Sequence, residues 1–296
     1  MGDSILYSKT LNKTAAAAAI ATLVFAIAAF KAAEWTRSSK VDLSAAAAPS
    51  NATDSITKVI PQIAIGSFDG GVTKYSTIVE VVNTGASVAA LTGAFYNEDG
   101  DLWSVPMAAD LGTAMEFTGT VPSITLPAGH VLVISGGVSP ATTPSSGSIG
   151  WGRLIATGTV SITTFFEVRD GKTDGLLSRI GIAASAPDLS RFLIPRVHTK
   201  GGLDVAFAIV NTGTEPASIR ATLKAANGTT IATRSIIMNG GTHQALFAHQ
   251  FFSLSNETAD RDYEYIVFNS DSSCFAAIAL AFEGAAQTSF PVDRLN

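Results

Sequence analysis

The tetrapeptide Val82-Asn83-Thr84-Gly85 returns unchanged as Val210-Asn211-Thr212-Gly213, and the reading of this pair decides the fold. Upstream of it, Ile60-Pro61 recurs as Ile194-Pro195. Downstream, a second glycine follows 15 residues later in both copies, Gly100 within Asp99-Gly100 and Gly228 within Asn227-Gly228. Leu126-Pro127-Ala128-Gly129-His130 then has its counterpart in Met238-Asn239-Gly240-Gly241-Thr242-His243, each leading into an apolar run. Late in each copy, residues 159–168 (TVSITTFFEV) match residues 273–282 (SCFAAIALAF). Such self-similarity marks one folding unit used twice. Asparagine and glycine permit positive φ, so VNTG reads as a turn that ends a strand, and the DG and NG pairs read as hairpins. Between the turns, Leu203, Val205, Phe207 and Ile209 alternate with Asp204, Ala206 and Ala208. Ile219, Ala221, Leu223 and Ala225 likewise alternate with Arg220, Thr222 and Lys224. Period two predicts half-buried strands. With no helical periodicity after residue 57, the expected fold is all-β. It consists of two tandem antiparallel β-sandwich domains, residues 58–187 and 188–296, meeting near Pro187.

The order of a strand ending in VNTG, a hairpin at DG or NG, and LPAG before the next strand resembles bacterial surface immunoglobulin-like modules and tandem repeats of exported bacterial proteins. The resemblance covers residues 58–296. It implies binding or spacing elements rather than a catalytic domain, and it rests on turn chemistry. The second copy departs from the pattern by carrying MNGG in place of LPAG, which keeps the turn.

Residues 14–30 read TAAAAAIATLVFAIAAF, with no charge between Lys13 and Lys31. The sixteen residues from Ala15 to Phe30 rise roughly 24 Å as a helix, and extension to residue 33 with Lys31 snorkelling approaches the ~30 Å hydrocarbon thickness. The expected order is therefore a short cytoplasmic tail (1–13), a transmembrane helix (14–33) and a Ser-, Ala- and Thr-rich linker (34–57). Lys13, Lys31 and Trp35 are the expected interface anchors. At 100° per residue, Ile20, Leu23, Val24, Ile27 and Phe30 share one side, while Ala15, Ala18, Thr22, Ala26, Ala29 and Ala33 share the other. A small-residue stripe lets a neighbouring helix approach closely, so other membrane protein subunits, together with the lipid bilayer, are the expected partners. The competing reading is a signal peptide cleaved after Ala26-Ile27-Ala28; the apolar run continues past that point to Phe30, which favours a span. Basic residues flank the helix on both sides, so the placement of the N-terminus inside the cytoplasmic membrane rests on export of the large C-terminal part, periplasmic or extracellular.

The chain of 296 residues carries 19 Lys+Arg against 24 Asp+Glu, a net charge of -5 with singly scattered cations, which excludes a nucleic-acid partner. Its 47% apolar and 15% charged residues exclude a disordered chain, and its single cysteine excludes a disulfide framework. No G-x-S-x-G elbow occurs; Gly147-Ser148-Ile149-Gly150 lacks the pattern. His130, His198, His243 and His249 lack metal-ligand spacing and are expected in turns or at the surface. Asn97, Asp99 and Asp101 are the best metal candidates, since they cluster oxygen ligands around a glycine, although a hairpin turn is already required there. Glu257, Asp260, Asp262 and Glu264 read as a solvated acidic loop, or as a seat for a basic partner. Trp103 and Trp151 are expected to pack within the domains; an exposed pair would stack on a sugar ring. Cys274 is expected to be buried in the last apolar strand. No catalytic residue and no cofactor is expected, and the chain reads as a non-enzyme. The leading expectation is a single-span accessory subunit of a larger membrane complex, a respiratory or photosynthetic assembly being one such. A surface adhesin or glycan- or protein-binding module is the alternative, followed by a self-assembling appendage subunit.

Overall fold

The computed structural model describes residues 55–138, 144–195, 203–254, 265–283 and 286–296. The expected tail and membrane helix, with Lys13, Lys31, Trp35 and the stripe Ala15, Ala18, Thr22, Ala26, Ala29 and Ala33, lie outside the described residues. So do His198, Glu257, Asp260, Asp262 and Glu264. Among the described residues, no helix is long and apolar enough to cross a membrane.

These residues are nearly all strand, and every pairing is antiparallel. The N-terminal half contains β1 (Ser55–Phe68), β2 (Thr73–Asn83), β3 (Ala89–Asn97), β4 (Met107–Asp110), β5 (Ala114–Phe117), β6 (Thr120–Leu126), β7 (Val131–Gly136), β8 (Ser148–Thr157), β9 (Val160–Asp170) and β10 (Leu176–Ala183). One layer runs β1-β8-β3-β6; the other runs β5-β4-β7-β2-β9-β10. The C-terminal half contains β11 (Arg191–Pro195), β12 (Leu203–Asn211), β13 (Ala217–Lys224), β14 (Thr230–Met238), β15 (His243–Phe247), the one-turn helix α1 (Ala248–Phe251), β16 (Tyr265–Ser270), β17 (Phe275–Glu283), β18 (Ala286–Phe290) and β19 (Asp293–Arg294). Its layers run β14-β13-β16-β11-β19 and β15-β12-β17-β18. The same strand order therefore appears in both halves, and the β4–β5 hairpin and α1 are the additions that break it. A helix was not expected after residue 57; α1 forms where the chain leaves β15 and drops Phe251 into the second core.

Both strand 1 equivalents begin earlier in the chain than the Ile-Pro signals suggest. β1 starts at Ser55, inside the expected linker, and Pro61 falls mid-strand. Proline has no N–H to give to the ladder, and the pairing of β1 with β8 slips between Ile60 and Ile63. Beyond Ile65 the strand leaves β8 and pairs with β2 from Gly66 onward, so one strand serves both layers. Gly66 has φ 101°, and a Cβ there would run into the Ser146 carbonyl and the Pro144 ring, so only glycine turns this corner. Each half has its own core. Ile60, Ile63, Val79, Phe95, Leu132 and Leu154 fill the first, and Phe192, Phe207, Phe251, Phe268 and Phe275 dominate the second.

The VNTG repeat is a structural equivalence, held by side chains rather than by backbone handedness. Neither asparagine nor the glycine two residues later has positive φ. Instead, Asn83 Nδ2 donates to Ser87 O (2.8 Å) and Leu126 O (2.9 Å), and its Oδ1 accepts from Gly85 N–H (3.0 Å). Asn211 repeats this set with Glu215 O (2.9 Å), Met238 O (2.9 Å) and Gly213 N–H (3.0 Å). Both amides are buried. Each cross-links a strand end to a turn 4 residues on and to the last residue of a neighbouring strand. Gly129 N–H and Gly241 N–H in turn donate to the carbonyls of Asn83 and Asn211. The exchange of LPAG for MNGG changes nothing in this motif because the αL glycine, Gly129 or Gly241, is kept at φ 75° or 77°.

Replacing Asn211 by Ala removes three hydrogen bonds and leaves the buried Met238 carbonyl without this donor, and should lower stability by about 1–3 kcal/mol in urea titration. Asn211→Asp, which keeps the size but turns a donor into an acceptor, should be at least as damaging.

Candidate functional site

The alternation read along β12 is misleading about exposure. Val205, Phe207 and Ile209 face the second core as expected, but Ala206, Ala208 and Val210 are equally buried. On β17, Phe275, Ala277, Ala279 and Ala281 face inward, and Ala276, Ile278, Leu280 and Phe282 lie buried on the opposite face. The strands β15-β12-β17 are thus covered on both sides: by their own sandwich, and by the N-terminal half. Ala64, Phe68, Tyr75, Ile149, Phe166, Val168, Ile180 and Ile182 form one apolar cluster with Ala206, Ala208, Ala245, Phe247, Ile278, Leu280 and Phe282. A second cluster joins Val59, Ala94, Tyr96 and Trp151 to Val210 and Ala276. The alanines let the aromatic side chains of the N-terminal half settle close to the sheet.

Directional bonds fix how the halves sit. Trp151, fully buried and stacked on Tyr96 (ring centroids 4.5 Å apart), donates from Nε1 to Gly241 O at 2.8 Å. That carbonyl belongs to the turn closed by Asn211, so the repeat motif of one half is the docking point for the other. Arg153 lies 5.9 Å from the Trp151 ring and donates to Thr212 O. Burial pushes its pKa down, and Tyr96 beside it has its own pushed up by burial. His243 completes the junction. Its backbone N–H donates to Glu98 O (3.0 Å), and its Nε2 lies 2.9 Å from Gln62 Oε1. Nδ1 has no hydrogen-bond partner.

The sequence placed His243 in a turn or at the surface; it is 2% exposed. Register gives its place, since Val131 pairs with Val82 as His243 pairs with Val210, but Val131 is 44% exposed, so no signal within the repeat announces the burial. His130 corresponds to Thr242 rather than to His243, since both carbonyls accept the backbone N–H of the VNTG asparagine, and it is exposed. His249 lies on α1, its ring stacked on Phe247.

The remaining expected sites resolve as follows. Asn97 Oδ1 accepts the N–H groups of Asp99 (3.0 Å) and Asp101 (2.8 Å), so the candidate metal ligand is spent on its own hairpin. Among the described residues, no group of three metal-binding side chains occurs. Trp103 and Trp151 are both buried, so no exposed tryptophan pair exists for a sugar ring. Cys274 is half-buried and lies in the turn before β17 rather than within the strand; burial raises its pKa. Gly147 and Gly150 open β8 beside aromatic rings, with the edge of Phe68 against the first and that of Trp103 against the second.

A cluster that the sequence did not suggest lies on β9 and β10. Glu167 is buried and accepts from Arg179 Nε (2.7 Å) and from Arg169 Nη2 (3.1 Å). Burial alone would raise its pKa, but the two guanidiniums outweigh that and hold the carboxyl below its usual range. Glu167 and Arg169 line a cleft of about 570 Å³ together with Lys74, Tyr75, Ser145 and Asp174. Lys74 pairs with Asp174 at 3.1 Å, and the cluster, three cations against two carboxylates, ties β2, β9 and β10 together.

No protein-family model matches the chain, and no curated protein matches it. Among solved structures, hazelnut (Corylus avellana) vicilin is similar at 7% identity and a TM-score of 0.23, over 80% of this chain and 83% of that one. The C-terminal domain of the Streptococcus agalactiae AgI/II polypeptide BspA is similar at 12% identity and a TM-score of 0.18, over 82% and 100%. The pilus backbone protein of Streptococcus pneumoniae is similar at 12% and a TM-score of 0.14, over 73% and 84%. Likeness at these scores carries no conclusion about function.

The junction has a testable pH signature. Burial pushes the His243 pKa down from 6.5 to about 3, the nearby Pro61 carbonyl offsetting part of the effect. Below pH 6.5 the unfolded chain takes up a proton that the folded chain refuses, so this contribution to stability is complete above pH 6.5 and declines as pH falls toward 3. The loss should amount to about 3 kcal/mol by pH 4. In His243→Val, which copies the residue of the first repeat, urea titrations at pH 7 and pH 4 should differ by that much less than in the parent chain.

Proposed function

We propose that this chain is a non-catalytic, membrane-anchored structural subunit that holds a rigid two-sandwich block on the far side of the cytoplasmic membrane and docks, through its helix, to a larger membrane complex. The observation that carries this reading is the three strands β15-β12-β17, buried on both faces. Independent binding modules on a stalk keep small, polar contacts between domains. Here the halves share two apolar clusters, a tryptophan hydrogen bond and a buried histidine, which suits a brace or cap that must keep its shape. The uncharged stretch 14–30 supplies the anchor, and its small-residue side supplies the contact with a neighbouring helix. An adhesin or glycan-binding reading gains less support, since tryptophans that would present a flat surface to a sugar are packed inside.

Replacing Ala18, Thr22, Ala26 and Ala29 together by Leu should leave insertion intact while removing the chain from the large species with which it migrates in native separation of mildly solubilised membranes. Migration as a lone chain before any substitution would contradict the proposal.

A further inference from the structure

We infer that Asn227, at the tip of the β13–β14 hairpin, is the acceptor of an N-linked glycan, placed there by a transferase that reads Asn-x-Thr. The inference rests on the exported placement proposed above, because this modification belongs to surface loops on the far side of the membrane. It concerns neither the helix nor the complex it binds.

Asn227-Gly228-Thr229 is the acceptor motif, with glycine rather than the forbidden proline in the middle. Asn83 and Asn211 are followed by Thr-Gly, Asn97 by Glu-Asp, Asn239 by Gly-Gly and Asn269 by Ser-Asp, so none of these carries it. Asn12, Asn51 and Asn256, which lie outside the described residues, have threonine two places on as well.

The hairpin presents the motif outward. Residues 226–230 are exposed, and Gly228 takes φ 82°, the left-handed value that the tight turn needs. Asn227 Oδ1 accepts the Thr229 N–H at 2.9 Å. That bond holds the carboxamide by its oxygen and leaves Nδ2, the atom a sugar joins, without a hydrogen-bond partner among the described residues. Asn83 and Asn211 are the contrast, since both are buried and each spends its Nδ2 on two carbonyls.

The repeat supplies an internal comparison. Gly228 N–H donates to Ala225 O as Gly100 N–H donates to Asn97 O, so Asp99 and Asp101 stand in the places of Asn227 and Thr229. The first hairpin is taken up by the junction, where Glu98 O accepts the His243 N–H, and a bulky sugar has no room beside it. The second belongs to the layer β14-β13-β16-β11-β19, which contributes no residue to the two apolar clusters shared with the N-terminal half. The acceptor thus occurs on the copy of the hairpin that is free to carry it.

Attachment forms a bond between Asn227 Nδ2 and the anomeric carbon of a lipid-linked oligosaccharide. The bond from that carbon to the lipid pyrophosphate breaks, the pyrophosphate leaves with the bonding pair, and the amide proton passes to a base of the transferase. The sugar chain then stands beside Thr230, where β14 begins. β14 is an edge strand with one neighbour among the described residues, and a glycan at its start screens that edge from pairing with another chain.

The test is peptide mapping by mass spectrometry of the full-length chain purified from its native membranes, with protease accessibility in sealed vesicles to read separately on which side residues 58–296 lie. The inference expects a sugar mass on the peptide that holds Asn227. Thr229→Ala keeps the backbone N–H that Asn227 accepts; it should remove the sugar while circular dichroism stays unchanged, and Thr229→Ser should keep it. A bare Asn227 would overturn the inference. So would a sugar that survives Thr229→Ala, since attachment would then owe nothing to the motif. Where residues 58–296 are exported and Asn227 is bare, this inference falls alone; where they are cytoplasmic, the exported placement falls with it.

Discussion

The structure depends on three adjacent strands, β15-β12-β17, having no solvent face. A β-sheet in a sandwich normally buries one side and wets the other. In β15-β12-β17 the outer side is apolar and covered as the inner side is, so the second sandwich has lost the surface it would need to stand alone. Each fully buried large side chain on the outer side is worth about 1.5–3 kcal/mol, against a whole-domain stability of about 5–15 kcal/mol. The junction therefore weighs as much as a core. The polar groups placed in it follow from that weight. Trp151, Arg153 and Gln62 each give or take a hydrogen bond across it, and His243 must stay neutral there.

The tandem organisation was legible because repeats show without any structural knowledge. VNTG, the DG and NG hairpins and the glycine before β7 and β15 all fall at equivalent places. The physical reason given for VNTG needed revision. Positive φ was expected of Asn and Gly, whereas the motif works through an amide side chain long enough to reach two carbonyls and an N–H at once. Turn propensity tables describe the backbone preference of asparagine; they do not describe a buried amide closing three chain segments.

The junction was harder to read, because alanine is ambiguous. In LDVAFAIV the alanines look like the exposed half of an alternating strand, and in FAAIALAF they look like filler. They mark instead a face where another sheet comes close. The unbroken apolar run of β17 was the better clue, since a strand buried on both faces needs no alternation. His243 was misjudged for a related reason: a histidine after Gly-Gly-Thr suggests a turn, and it is buried only because Gln62 and Glu98 of the N-terminal half close over it. The ion cluster around Glu167 had no local signal at all, because Arg179 reaches it from a different strand.

The central claim is that the two sandwiches unfold as one body. Native-state hydrogen exchange of the full-length chain in detergent, followed peptide by peptide with increasing urea, tests it most directly. The account predicts that amides of β2 and β8 in the first half and of β12 and β17 in the second converge on the same opening free energy and the same denaturant slope. A second half that opens with its own smaller slope, while the first stays protected, would contradict it.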